Sequence, residues 1–117
     1  MCDADLLSFN PEYLKLSFEQ ARLALSEGEV PIGAVFVQHT TKKVVAQARN
    51  QVNARKNASS HAEIVGIEQL NRHNKDQADD KIDFRDLVVY VNCEPCIMCA
   101  DALKKIKVKG AAADILD

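Results

Sequence analysis

The sequence predicts an α/β fold in which helices cover a mixed sheet. Residues 30–37 and 87–91 are continuous apolar runs of strand length. Apolar residues at helical spacing precede the first run, follow the second, and recur between them. The order is helix, strand, strand, helix, strand, helix. Two strands joined by a short turn pair antiparallel, and strand–helix–strand then adds parallel pairing.

The first helix starts at Asn10-Pro11-Glu12, which supplies a cap, a proline and an acidic first turn. Leu14, Phe18, Ala21 and Leu25 form its stripe, and Gly28 closes it. In the first strand, Pro31 is confined to the strand end, and Gly33-Ala34 leaves room for something to approach the backbone. The polar segment 38–43 turns the chain into a second strand from Val44 to about Ala48. A polar loop over 49–59 delivers Ser60-His61-Ala62-Glu63, with Ser60 the expected N-cap of a helix carrying Ile64, Val65, Ile67 and Leu70. Residues 71–86 read as a charged surface connector with Ile82 and Phe84 its only sizeable apolar side chains. After the strand at 87–91, Pro95 suits a first helical position, and Ile97, Ala100, Leu103 and Ile106 give the last stripe.

With 117 residues the chain makes one domain, and a charged fraction of 27% against 47% apolar is a globular profile. Every apolar stretch is far shorter than the ~20 residues a membrane-spanning helix needs, so no membrane role is expected. The start, Met1-Cys2-Asp3-Ala4-Asp5, lacks the basic and apolar regions of a signal peptide. A cytoplasmic or nuclear setting follows, in which the 4 cysteines more readily bind metal or do chemistry than form disulfides. A net charge of −2 gives no general attraction to nucleic acid, so RNA binding needs a local basic patch or a partner.

The chemistry gathers at two helix starts. Cys96 and Cys99 sit three apart in the first turn of the last helix, where free N–H groups and the helix dipole favour thiolate. His61 opens the other helix, and both helices can present their N-termini at one sheet edge. One nitrogen and two sulfurs leave a fourth tetrahedral position for water, the pattern of a catalytic zinc. Glu63 lies two residues past His61, off the face of a fourth ligand, and is placed to shuttle protons. Cys93, Cys96 and Cys99 also begin an iron–sulfur spacing. No fourth cysteine follows, so Cys93 reads as a strand-end residue. His39 and His73 read as solvent-facing and Met98 as core filler.

His61-Ala62-Glu63 with Pro95-Cys96-x-x-Cys99 resembles the zinc-dependent nucleoside and nucleobase deaminase superfamily. Pro31-Ile32-Gly33-Ala34-Val35, Asn50 and Cys93-Glu94-Pro95-Cys96-Ile97-Met98-Cys99-Ala100 make it most similar to the tRNA adenosine deaminase branch, and within it to catalytic subunits of eukaryotic wobble-adenosine deaminases. Guanine deaminases are similar but usually carry proline at the position of Ile97. The resemblance implies a three-layer α/β/α cytidine deaminase-like sheet, zinc on His61, Cys96 and Cys99, and Glu63 as the catalytic proton carrier. It also implies Asn50 as a substrate-binding residue, hydrolysis of adenosine to inosine at the tRNA wobble position, and a heterodimer with a related non-catalytic subunit, or a homodimer.

The likeness runs from about Leu14 to Ile106. Similar proteins continue with further strands and helix that shape the pocket, whereas residues 107–117 offer at most one weak strand with little to pack. The whole chain is therefore expected to be one zinc deaminase domain that lacks those elements after about residue 106. The alternatives are an inactive zinc-stabilised or non-catalytic form, and a deaminase of free nucleobases or nucleosides.

Overall fold

The computed structural model describes residues 10–77, 79–93 and 95–113. Cys2, the signal-peptide reading of the chain start, Glu94 and the end of the tail lie outside the described residues. Helix α1 spans Pro11–Ser26, and the Asn10 side chain accepts from Glu12 N–H as the proline-plus-cap start requires. Gly28, at φ 81°, turns the chain after it. Strands β1 (Gly33–Gln38) and β2 (Val44–Arg49) form an antiparallel hairpin.

The polar loop after β2 contains a short helix, α2 (Val52–Arg55), too brief for any periodic signal in the sequence. Helix α3 then runs Ala62–Asp76, so it takes up the first residues of the expected connector. Its cap is His61, not Ser60, and no side chain caps it. A single 3₁₀ turn, Phe84–Asp86, leads into β3 (Leu87–Val91). Helix α4 spans Ile97–Lys105 with Cys96 as its cap, which leaves Pro95 before the cap and not at the first helical position. The tail forms one strand, β4 (Gly110–Ala113).

The sheet order is β2-β1-β3-β4. One expectation needs correction: β3 pairs with β1, antiparallel, and the parallel partner of β3 is β4, reached through α4. The start of β1 and the ends of β2 and β3 therefore share one edge, with Gly33 opposite Arg49 and Ala34 opposite Val91.

The alternation of β1 divides the core into two faces. Val35 and Val37 join Val88 and Tyr90 under Tyr13, Leu14 and Leu16 of α1. Ala34 and Phe36 face the other way, with Val89, Val91, Ile67 and Leu70 of α3 and Leu103 of α4. This is the three-layer α/β/α arrangement. Gly33 lies so close to the Ser17 carbonyl of α1 that no Cβ fits, which identifies what approaches the backbone there. Among the described residues no helix is long and apolar enough to cross a membrane.

Candidate metal centre

His61 ends a loop that starts at the C-terminal end of β2, and Cys96 and Cys99 follow the loop from β3. Both loops leave the same sheet edge, which brings two helix starts together. His61 Nδ1 lies 3.5 Å from Cys96 Sγ and 3.5 Å from Cys99 Sγ. Among the described residues these three form the one group able to converge on a metal ion, with donor atoms all within 4.8 Å of one another. Tetrahedral bonds of about 2.3 Å to sulfur and about 2.05 Å to nitrogen place a nitrogen and a sulfur donor about 3.6 Å apart. The side chains already stand at the spacing zinc requires.

Cys96 is exposed and Cys99 fully buried. Cys96 Sγ also accepts from the Cys99 backbone N–H at 3.5 Å, a contact that fixes the first turn of α4. Burial pushes the Cys99 thiol up from its ordinary range, and the nearby Glu63 carboxylate and Cys96 push the same way. A divalent cation reverses the sign of that field, so the donor set fits zinc.

Glu63 lies in the first turn of α3 and is 3% exposed. Burial raises its carboxyl above the usual range, while its own backbone N–H, the Cys99 thiol and His61 oppose the rise. A protonatable carboxyl is thus held at the inner side of the donor group without joining it.

A cavity of about 380 Å³ adjoins the group, and His61 and Asn50 share its wall with Val30, Ile32 and Val52. Asn50 is 4% exposed, and its Nδ2 donates to Glu29 Oε1 at 3.5 Å. His61, Cys96 and Cys99 thus form one group with Glu63 beside it, and Asn50 shares a cavity wall with His61. Other readings change. Cys93 is exposed and outside the donor group, as expected of a strand-end residue. Met98 is 40% exposed, not core filler, because it lies on the outward side of the first turn of α4. His39 and His73 are half-buried and not fully solvent-facing; His73 Nε2 lies 2.8 Å from the Asp80 carbonyl, which folds the connector back on α3. The lysines at 104, 105, 107 and 109 gather at and beyond the C-terminal end of α4, a helix length from Cys96.

Two residues at the site carry no signal in the sequence. Glu29 is a buried carboxylate at 4% exposure, and Asn92 links β3 to the start of β1. Neither stands at a recognisable spacing from the motif; their partners are set by the fold.

A three-layer α/β/α fold with a His-Cys-Cys donor group at two helix starts and a buried glutamate beside it defines a zinc deaminase class. The chain belongs to the family described as cytidine and deoxycytidylate deaminase zinc-binding region, which matches residues 8–113. It is 42% identical over 97 residues to tRNA-specific adenosine deaminase 2 of Xenopus tropicalis, covering 82% of this chain and 56% of that protein. The chain thus spans about half the length of such relatives. Among solved structures it resembles one from studies of A-to-I editing by tRNA:A34 deaminases at the wobble position of transfer RNA, with TM-score 0.73, 29% identity, and coverage of 89% of this chain and 77% of that one. Guanine deaminase from Bacillus subtilis shares the fold at TM-score 0.78 and 24% identity, with 90% and 63% covered.

Proposed function

We propose that this chain is a catalytic domain for hydrolytic deamination of adenosine to inosine in tRNA, at the wobble position. The observation that carries the reading is the buried Glu63 carboxyl beside a zinc-spaced His61, Cys96 and Cys99 group. A purely structural zinc site has no use for a carboxyl in that place. Relatives named as tRNA-specific adenosine deaminases support adenosine in tRNA as the substrate.

In this reading His61, Cys96 and Cys99 hold the zinc. When bound, zinc supplies a water nucleophile at neutral pH. Glu63 would carry a proton from the attacking water to the departing amine, so that water and adenosine give inosine and ammonia. Asn50 holds the nucleoside in the adjoining cavity, where the apolar walls of Val30, Ile32 and Val52 take the flat base.

The lysines at 104, 105, 107 and 109 lie at the far end of α4 from the donor group, and the arginines near the cavity, Arg49 and Arg55, are paired with Glu27 and Glu68, so tRNA affinity calls for a second subunit. A related deaminase subunit without its own catalysis, or a second copy, is the proposed partner. The test is inosine formation in transcribed tRNA by the zinc-loaded chain, alone and with such a subunit. Activity that needs the subunit and disappears in Glu63→Gln is the expected result. Inosine formation unaffected by Glu63→Gln would overturn it.

A further inference from the structure

Glu29 is a buried acid that the chemistry described above leaves unused. It stands just after the turn at Gly28, pinned by its backbone N–H to the Ala24 carbonyl at 2.9 Å. Its side chain points toward the segment that lines the cavity. Oε1 accepts from Asn53 N–H at 2.9 Å, and Oε2 accepts from Ala54 N–H at 2.8 Å. These are backbone donors at the start of α2, so both oxygens are occupied by groups that only donate. Oε1 also accepts from Asn50 Nδ2 at 3.5 Å.

An asparagine amide has two chemically opposite ends, and which end faces a ligand decides what it can recognise. A carboxylate already serving as acceptor to two N–H groups admits only the NH₂ end of Asn50. The carbonyl Oδ1 has no partner among the described residues. Asn50 lines the cavity beside His61. The contact thus leaves an acceptor at the cavity wall, suited to a donor such as a ribose hydroxyl or an amino group.

We propose that Glu29 is a positioning residue: its carboxylate fixes the orientation of the Asn50 amide and ties it to α2, so that the pocket offers a fixed hydrogen-bond acceptor to the nucleoside. The proposal rests on the reading of Asn50 as the residue that holds substrate. Glu29 touches neither the substrate nor the donor group in this scheme.

Two readouts test it. The first needs no activity: the side-chain amide resonances of Asn50 in the zinc-loaded chain, identified by their loss in Asn50→Ala. In the unmodified chain the two Nδ2 protons are expected well separated, and in Glu29→Gln they move together toward free-amide positions. Unchanged Asn50 resonances in a folded Glu29→Gln protein overturn the proposal. The second readout is kinetic, on transcribed tRNA with the partner subunit present. Glu29→Gln is expected to raise KM about tenfold, the effect of about one hydrogen bond, with kcat nearly unchanged. It should add nothing in an Asn50→Ala background. Effects that multiply, or a loss confined to kcat, overturn the proposal, because a carboxylate that merely stiffens α2 acts independently of Asn50. If the unmodified chain makes no inosine, the functional reading fails and the amide resonances alone decide the role of Glu29. Should Glu29→Gln not fold, Glu29→Asp keeps the charge, withdraws the oxygens by one methylene, and carries the same readouts.

Discussion

Asn92 Oδ1 accepts a hydrogen bond from Gly33 N–H at 2.8 Å, across 59 residues of sequence. Its Nδ2 donates to the Pro31 carbonyl at 3.0 Å, so one amide clamps the backbone on both sides of Ile32, a wall of the cavity. The same residue begins the loop that carries Cys96. Asn92→Ala should therefore cost about 1–2 kcal/mol of stability, the penalty for two backbone groups left unpaired at a partly buried edge. An unchanged denaturation midpoint would show that water replaces the clamp without loss.

The donor group predicts an ordered set of metal contents. Cys96→Ser and Cys99→Ser should each lose most of the zinc, since both sulfurs stand 3.5 Å from His61 Nδ1. Cys93→Ser should keep it all, because Cys93 is exposed and outside the group. Metal analysis of the purified variants checks this, and zinc lost on replacing Cys93 would mean the third sulfur is a ligand.

Glu63→Gln should retain zinc and lose deaminase activity by at least ~100-fold, as expected when a proton carrier is replaced by an amide. The fold should tolerate the change, since Gln is nearly isosteric with Glu. Inosine yield together with metal content distinguishes lost chemistry from lost metal.

Gly66→Ala sets two effects against each other. Alanine in a helix interior gains about 1 kcal/mol over glycine. At Gly66, however, a Cβ would run into the ring of Phe36, which is fully buried in the core. Overpacking typically costs about 1–3 kcal/mol, so packing should win and the protein should be destabilised. A higher melting temperature for Gly66→Ala would mean that the Phe36 ring moves aside freely.

The convergence of His61, Cys96 and Cys99, with Glu63 beside them, was legible because their types, spacing and placement at helix starts are all local properties of the sequence. Strand β3 was legible to the residue for the same reason. The place of Asn50 at the cavity wall was legible only through resemblance, since a single asparagine after a strand carries no pattern of its own. Glu29 and Asn92 were not legible at all: their partners lie more than twenty residues away, and nothing near them in the chain marks the contact. The extent of α3 was missed because residues 71–76 are polar and leave no apolar stripe to read. The neighbour of β3 was misplaced because a crossover helix fixes strand direction, while the adjacent strand is chosen by packing across the whole sheet.

The separation of the donors along the chain has a consequence for the order in which the domain opens. His61 is 35 residues from Cys96 and 38 from Cys99, so a bound ion closes a loop that contains α3 and β3. Closing such a loop without metal is opposed by chain entropy, and the ion offsets that opposition directly in the folded state. Helix α4 is the element most dependent on this clip: its core anchor, Leu103, lies in its last turn, while its first turn is held by the sulfurs. Stripping the zinc should therefore free the α4 start and the loop before it well ahead of the β1–β2 hairpin, and amide exchange would show the molecule coming apart from its metal-binding end.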